Sequence, residues 1–354
     1  MFSLARQAQD EIGHLAAEPA RQVEHAGAGR PMALLESTAR DTRPPQQAAR
    51  RRRALRRPIN ANSPAHRGDA RLAWVLIAPS FIGFAVFAVY PTLRGLYLSF
   101  TDFQVLTPPT WVGLDNYVKL ADDEVFWSSL GVTVYFVLLS VTLSMAVSVV
   151  TAAVLHRLTS STVVRGLIIL PFLISAVVAA TVWSWLLDTQ LGIVNILIEA
   201  LGGDGVQFLS SRGWAIPSIA LINVWKQMGY TSIIIFAGLQ TIPATVYEAG
   251  RIDGASELQM FRRLTLPLLR PILALVLVLN VIGAFQVFDI VQVTTKGGPA
   301  NASNVLQMYI YSKAFGQFDF GYASAMSFAL FAILIVITFL QMRLLRASES
   351  DTSE

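Results

Sequence analysis

The sequence predicts an all-α membrane protein with six transmembrane helices and a cytoplasmic helix-turn-helix loop between spans four and five. Of the 354 residues, 54% are hydrophobic and 14% are charged, whereas soluble domains carry about 25% charged residues. Apolar stretches of about 20 residues, the length that crosses a bilayer, recur from residue 72 onward. Acidic and basic connections alternate between these stretches, which is typical of a multi-pass membrane protein.

An Arg-rich arm, residues 1–71, precedes the apolar stretches. It holds 13 Arg, no Lys and 7 acidic residues, and its scarcity of aromatic side chains predicts disorder. The cluster from Arg50 to Arg57 favours a cytoplasmic location and contact with anionic lipid head groups. No stacking aromatics interleave with it, so no nucleic-acid partner is predicted. An alternative is that the working chain begins later than the first methionine.

Six stretches are long and apolar enough to be spans: 72–98, 130–155, 164–187, 214–240, 270–292 and 321–345. The connections 102–129 and 188–213 are mainly acidic, whereas 156–165 and 241–269 carry arginines. The positive-inside rule therefore places the basic connections and both termini in the cytoplasm. The predicted domains are a disordered cytoplasmic arm at 1–71, a six-span domain at 72–346 and a short cytoplasmic tail at 347–354.

The chain lacks the residue patterns of common enzyme and metal sites. It has no cysteine and only four histidines, so neither a metal ligand nor a catalytic residue is predicted. None of its four lysines follows a glycine, which excludes the Gly-Lys pair of a phosphate-binding P-loop. HExxH and GxSxG are absent as well. The prediction is a chain that is not an enzyme and binds no cofactor itself.

The connection 241–269 has the local signals of two short helices. Pro243 indicates the first helical position of one helix, and Gly254 indicates a left-handed residue at its end. Ser256 and Gln259 have the spacing of a capping box for a second helix. Periodicity alone leaves open whether this segment docks a partner, lies on lipid or packs beneath the spans.

Residues 248–267, EAGRIDGASELQMFRRLTLP, resemble the EAA loop of ABC importer permeases of the carbohydrate-uptake type. Gly250 departs from the usual alanine, a change that loosens a helix. The resemblance implies docking of this loop into a separate ATPase, although Asp253 has the alternative of stabilising its own turn. The predicted coupling residues are Glu248, Ala249, Gly250, Asp253, Gly254, Ala255, Phe261, Leu264 and Pro267.

Further segments extend the resemblance over about 72–346: WVGLDNYVKL at 111–120, RGLIILPFL at 165–173, KGGPANAS at 296–303 and FGYASAMS at 320–327. The resemblance implies one of two permease subunits in a bacterial inner membrane, importing a sugar or related polyol; a homodimer of this chain is the alternative. Its implied partners are the second permease, an extracytoplasmic substrate-binding protein, and a cytoplasmic ATPase dimer that binds ATP and Mg. One alternative is a self-contained ion-coupled transporter, which would need inverted repeats and paired intramembrane carboxylates. Another is a membrane scaffold or sensor that uses the arm.

Polar side chains in spans four and five are candidates for the substrate path. Such residues are costly in a bilayer and face a cavity or a neighbouring helix. Amides and carboxylates suit sugar hydroxyls, while aromatic rings suit the C–H faces of a sugar. The alternative is that these side chains satisfy one another between helices. The predicted path residues are Asn223, Lys226, Tyr230, Asn280, Phe285, Gln286 and Asp289.

Overall fold

A computed structural model describes residues 64–105, 107–158 and 161–350. Most of the predicted arm, up to residue 63, and the end of the predicted tail, 351–354, lie outside the described residues. The chain divides into two compact units, Met1–Val75 and Leu76–Glu354. Helical structure in the first unit begins at Pro64, and the candidate functional site lies within the second unit.

Helices dominate the described chain. In the first half they are α1 (Pro64–Phe84), α2 (Tyr90–Leu98), α3 (Asp115–Ala121), α4 (Glu124–Leu158), α5 (Thr162–Leu173), α6 (Ala176–Leu186) and α7 (Ile193–Ala200). In the second half they are α8 (Ala215–Leu239), α9 (Ala244–Ile252), α10 (Glu257–Met260), α11 (Leu266–Leu268), α12 (Arg270–Phe285), α13 (Asp289–Thr294), α14 (Leu306–Tyr311) and α15 (Phe320–Ser350).

Shorter elements complete the fold. Single π-helical turns at Ala85–Val89, Phe261–Thr265 and Ser312–Gly316 continue the helices that precede them. The strands β1 (Thr101–Asp102) and β2 (Thr110–Trp111) pair antiparallel. An isolated antiparallel bridge between Gln104 and Asp319 is the other β-type pairing within the described residues, and all remaining regular structure there is helical.

Five helical stretches in the described chain are long and apolar enough to cross a membrane: Leu72–Leu98, Glu124–Arg157, Ala215–Leu239, Arg270–Thr294 and Phe320–Leu345. The predicted third span, 164–187, corresponds instead to α5 and α6, which meet at 91°. The backbone of Ile174 and Ser175 is extended, with ψ of 138° and 141°, so helical hydrogen bonding stops there. The described residues thus contain five spans, or six if the bent pair crosses as one.

Helix α4 is packed against several other helices. It contacts α8 most extensively, and also α12 and α14. Ser140, Ser144 and Ser148 recur every fourth residue along α4, and all three are buried. Side chains at this spacing share one helix face, and small residues there let neighbouring helices approach closely. The result is a long helix that touches both walls of the membrane cleft described below.

A carboxylate network joins the start of α4 to two later helices. The Asp123 carboxylate accepts hydrogen bonds from the phenols of Tyr309, at 2.7 Å, and Tyr322, at 2.6 Å. It also accepts the backbone N–H groups of Val125 and Phe126. Partial burial by itself raises the pKa of Asp123, but these four donors together hold that pKa below its ordinary value. Burial and the hydrogen bond to Asp123 raise the pKa of Tyr309, which keeps its phenol protonated as a donor.

Candidate functional site

The first short helix of the connection 241–269, α9, is delimited by two backbone features. Pro243 is the N-cap rather than the first helical residue predicted from sequence, because its ψ of 139° is extended. Asp253 is the C-cap, and Gly254 follows it with a φ of +76°. A positive φ favours glycine because no Cβ is present to clash. The prediction of a left-handed residue at Gly254 is confirmed.

The second short helix, α10, begins with the predicted capping box. The Ser256 hydroxyl accepts the backbone N–H of Gln259 at 3.4 Å, and the Gln259 side chain accepts the backbone N–H of Ser256 at 2.8 Å. This reciprocal pair satisfies two N–H groups that a helix start otherwise leaves unpaired. The helix continues through the π-helical turn Phe261–Thr265 towards span α12.

The two short helices pack closely at Gly250. This glycine is buried, and a Cβ placed on it would lie 3.0 Å from Leu264 Cδ1 and 3.4 Å from Met260. The Tyr247 and Thr265 hydroxyls, 3.2 Å apart, join the same helices through a hydrogen bond. Gly250 and Leu264 therefore hold the loop together. The close approach gives a packing reason for glycine where the resembling family has alanine.

The outer face of this loop is apolar at its tip. Ile252 is 87% exposed and Leu258 is 66% exposed. They flank Gly254 on either side. Neither belongs to the coupling set predicted from sequence, although Ile252 lies three residues after Ala249 and Leu258 three residues before Phe261. Helical spacing was thus the signal that could have added both to the set.

The remaining predicted coupling residues divide by exposure. Glu248, Ala249 and Asp253 are exposed, while Ala255, Phe261 and Pro267 are half-buried. The exposed residues and the two apolar side chains of the tip are accessible to a partner. No group of three His, Asp or Glu side chains suited to a metal occurs among residues 64–105, 107–158 and 161–350.

A cleft of about 420 Å³ lies between this loop and the end of α4. The Arg157 guanidinium of α4 is 2.8 Å from the Glu257 carboxylate, and Arg251 is 3.8 Å from that same carboxylate. The cleft is therefore crossed by a small ion-pair network. Its lining is Ala153, His156, Arg157, Leu239, Ala244, Tyr247, Glu248, Arg251, Glu257, Phe261 and Thr265.

A second cleft, of about 60 Å³, lies between spans α8 and α12, and we call it the membrane cleft. Its polar lining consists of Asn223, Gln227, Tyr230, Thr231 and Asn280. Three of these, Asn223, Tyr230 and Asn280, belong to the substrate path predicted from sequence. Gln227 and Thr231 do not, although Gln227 lies one turn from both Asn223 and Tyr230, so helical spacing could have added it. The apolar lining is Ile234, Val276, Leu279, Gly283 and Ala284.

Helix α4 supplies hydrogen bonds behind the membrane cleft. Asn223 donates to the Ser140 hydroxyl at 2.8 Å. Ser144 donates to the Asn280 side-chain oxygen at 3.4 Å, while the Asn280 amide donates to the Val276 carbonyl at 2.9 Å. The two asparagines are therefore partly satisfied by protein groups, which is the alternative that the sequence left open. Both asparagines also line the open space of the membrane cleft. Their environment therefore combines hydrogen bonding between helices with exposure to the predicted substrate path.

Four predicted path residues lie outside the membrane cleft lining. The Lys226 ammonium lies 3.5 Å from the carbonyl oxygen of Phe172, whose ring stacks on Tyr230 at 4.6 Å. Phe285 is buried in the hydrophobic core. Gln286 and Asp289 are exposed where α12 gives way to α13. A substrate role for these four stays a prediction.

Comparisons with known proteins identify the family. The family of binding-protein-dependent transport system inner membrane components matches residues 76–353. The chain is 33% identical to the sulfoquinovosyl glycerol transport system permease protein SmoG of Agrobacterium fabrum, covering 80% of this chain and 92% of that protein. It is 31% identical to the trehalose/maltose transport system permease protein MalF of Thermococcus litoralis, covering 78% of this chain and 94% of that protein.

A solved structure agrees with these relatives. It is a bacterial alginate ABC transporter in complex with an alginate pentasaccharide-bound periplasmic protein. One of its chains aligns with a TM-score of 0.69 and 26% identity, covering 77% of this chain and 93% of that chain. The family match and the apolar helices together show a multi-pass inner-membrane protein, a transport subunit rather than an enzyme. The chain belongs to the binding-protein-dependent transport system inner membrane components, as its resemblance predicted, and is a permease of an ATP-driven ABC importer.

Proposed function

We propose that this chain forms half of the path by which a bacterial importer takes up a carbohydrate or related polyol. The membrane cleft carries this proposal, because its amides and its tyrosine hydroxyl suit the hydroxyl groups of a sugar. SmoG and MalF are named for the transport of carbohydrates or their derivatives, and the alginate transporter was solved with an oligosaccharide-bound periplasmic protein. A second permease subunit forms the other half of the path. Both subunits span the same lipid bilayer.

Substrate arrives from an extracytoplasmic binding protein. The complex of the alginate transporter with its periplasmic protein supports this partner. In the proposed orientation both chain termini and the connection 241–269 lie in the cytoplasm, as the distribution of arginine indicates. The acidic connections 102–129 and 188–213 then face the binding protein.

The connection 241–269, the coupling loop, docks a separate cytoplasmic ATPase dimer that binds ATP and Mg. Its tip offers Ile252 and Leu258 as exposed apolar anchors, and apolar side chains that become buried on docking carry much of an interface's binding energy. Glu248, Ala249 and Asp253 surround these anchors with small and acidic groups. ATP hydrolysis on the partner then moves the loop, and the loop moves the spans.

Copurification tests the docking surface. The tagged chain is solubilised gently from its native membrane, and the subunits recovered with it are quantified by mass spectrometry. Ile252→Asp is expected to reduce the recovered ATPase about tenfold or more, because a buried carboxylate replaces an apolar anchor. Leu114→Asp is the matched control, since Leu114 is 63% exposed in the connection 102–129.

Two outcomes would count against the proposal. Equal ATPase recovery from the Ile252→Asp variant and the parent would reject the tip as the docking surface. Reproducible recovery of the folded parent chain with neither an ATPase nor a second permease would favour a transporter that works alone.

A further inference from the structure

We infer that Arg157 and Glu257 form a positioning pair that makes helix α4 move with the coupling loop. The pair would let ATPase-driven motion of the loop reach the membrane cleft through α4. This inference rests on the proposed docking of the ATPase at the loop. It adds a direct route from the loop to α4 beside the covalent connections of the loop to α8 and α12.

The pair joins two firmly held positions. Arg157 lies in the last turn of α4, where a cation is favoured by the helix dipole. Glu257 is the first residue of α10, directly after the capping-box residue Ser256, so its backbone is fixed. The Arg157 guanidinium and the Glu257 carboxylate approach each other to 2.8 Å and form an ion pair. Arg251, at 3.8 Å, adds a second cation on the coupling-loop side.

The pair crosses open space. The cleft of about 420 Å³ separates the end of α4 from the coupling loop, and both partners line it. The side chains of Arg157 and Glu257 are 46% and 56% exposed, and exposed pairs add little to folding stability. The Arg157–Glu257 ion pair therefore acts mainly by fixing the distance between the end of α4 and the coupling loop, which are separated by the cleft.

Helix α4 links the Arg157–Glu257 ion pair to the membrane cleft. It runs from Glu124 to Leu158 as one α-helix that contains no proline, so it resists kinking. Ser144 lies 13 positions before Arg157, about 20 Å along the axis at 1.5 Å per residue. Ser140 and Ser144 are hydrogen-bonded to Asn223 and Asn280, which line opposite walls of the membrane cleft. Displacement of the α4 end is thus passed to both walls.

A single thiol can report this motion, because the chain has no cysteine. Gly283 lines the membrane cleft, and a Cβ built there meets nothing within 4 Å, so Gly283→Cys fits. The assay measures the rate of maleimide labelling in the purified complex, before and after trapping with ATP and vanadate. In the parent background we expect trapping to change this rate about fivefold or more, the lower end of typical allosteric coupling.

Charge-reversal variants distinguish loss of the Arg157–Glu257 ion pair from nonspecific disruption of the fold. Arg157→Glu and Glu257→Arg are each expected to reduce the change in labelling rate to less than about twofold, with normal recovery of the ATPase subunit. The double variant restores opposite charges and is expected to recover most of the change. Arg343→Glu is the control, since Arg343 is an exposed arginine in α15, outside the cleft between α4 and the coupling loop.

Each outcome decides between the inferences. A full change in Arg157→Glu with the ATPase bound would overturn the positioning role, and so would a double variant that stays unresponsive. Loss of the ATPase from the single variants would make the pair part of the docking surface instead. Absence of the ATPase from the parent would overturn the proposed docking of the ATPase, whereas an unchanged labelling rate in the parent with the ATPase bound would overturn the inferred route to the membrane cleft.

Discussion

At the scale of single residues, Asp123 shows how one carboxylate organises three helices. Its two oxygens accept four hydrogen bonds, two from backbone groups at the start of α4 and two from the phenols of Tyr309 and Tyr322. A carboxylate is a stronger acceptor than an amide. The sequence placed Asp123 in an acidic connection and gave no sign of these partners, because both tyrosines lie almost 200 positions later.

Replacing Asp123 by Asn tests this network. The Asp123→Asn variant is expected to be about 1 kcal/mol less stable at pH 7, because a charged acceptor becomes neutral. The lowered folded-state pKa means that the stabilisation is complete above the ordinary value of 3.8 and disappears as pH falls through the folded value. The stability gap between parent and variant should therefore stay constant from pH 8 to pH 5 and shrink below about pH 3.8.

Thermal unfolding of the purified chain in nanodiscs measures that gap. Asp122→Asn is the control, because Asp122 is its exposed neighbour and is expected to leave stability unchanged. A gap that narrows between pH 8 and pH 6 would contradict the assignment of the stabilisation to an ionised Asp123.

At the scale of elements, α5 crosses α8 at a buried glycine. A Cβ at Gly229 would lie 2.1 Å from the Ile168 carbonyl oxygen and 3.0 Å from the Ile169 Cα. Both neighbours are backbone atoms, which cannot rotate away. A small residue at this point is therefore what lets the bent pair rest on span α8.

A pair of Gly→Ala variants tests the crossing. In an open helix position alanine is favoured over glycine by about 1 kcal/mol, so Gly283→Ala, which meets no atom, should stabilise slightly. Gly229→Ala should instead destabilise by about 1–3 kcal/mol, because the helices must move apart. Unfolding temperatures of the two variants provide the comparison. Equal effects of the two substitutions would show that the crossing is looser than the structure describes.

The elements also show what could be predicted from sequence. Features set by neighbouring residues in the sequence were predicted correctly: the capping box of Ser256 and Gln259 and the positive φ of Gly254 are both present. The break at Ile174 was missed because hydropathy stays high through it. Membership of the membrane cleft was predicted only in part, since the pattern of one helix does not reveal which face its neighbour covers. Phe285, a residue with suitable chemistry, lies in the core for that reason.

At the scale of the whole molecule, the first span differs from the others. None of the most apolar window in Leu72–Leu98 is buried inside the chain, whereas half of that in Ala215–Leu239 is. The end of this span, α2, packs against α15, while most of its remaining surface is left for lipid or another subunit, which fits one half of a larger transporter. Helices that face lipid need apolar side chains on most of their surface, so their mean hydropathy is high. This is why hydropathy alone located most of the spans.

Membrane orientation is the last whole-molecule property that the charges predict. Arginines concentrate in the coupling loop, while the connection 188–213 is mainly acidic, so the coupling loop should be cytoplasmic. Since the chain has no cysteine, Arg263→Cys and Asp204→Cys each introduce a single thiol at an exposed position. A membrane-impermeant maleimide applied to intact spheroplasts should label the thiol at 204 and reach that at 263 only after permeabilisation. The reverse pattern would place the coupling loop outside, where no ATP-hydrolysing partner could dock.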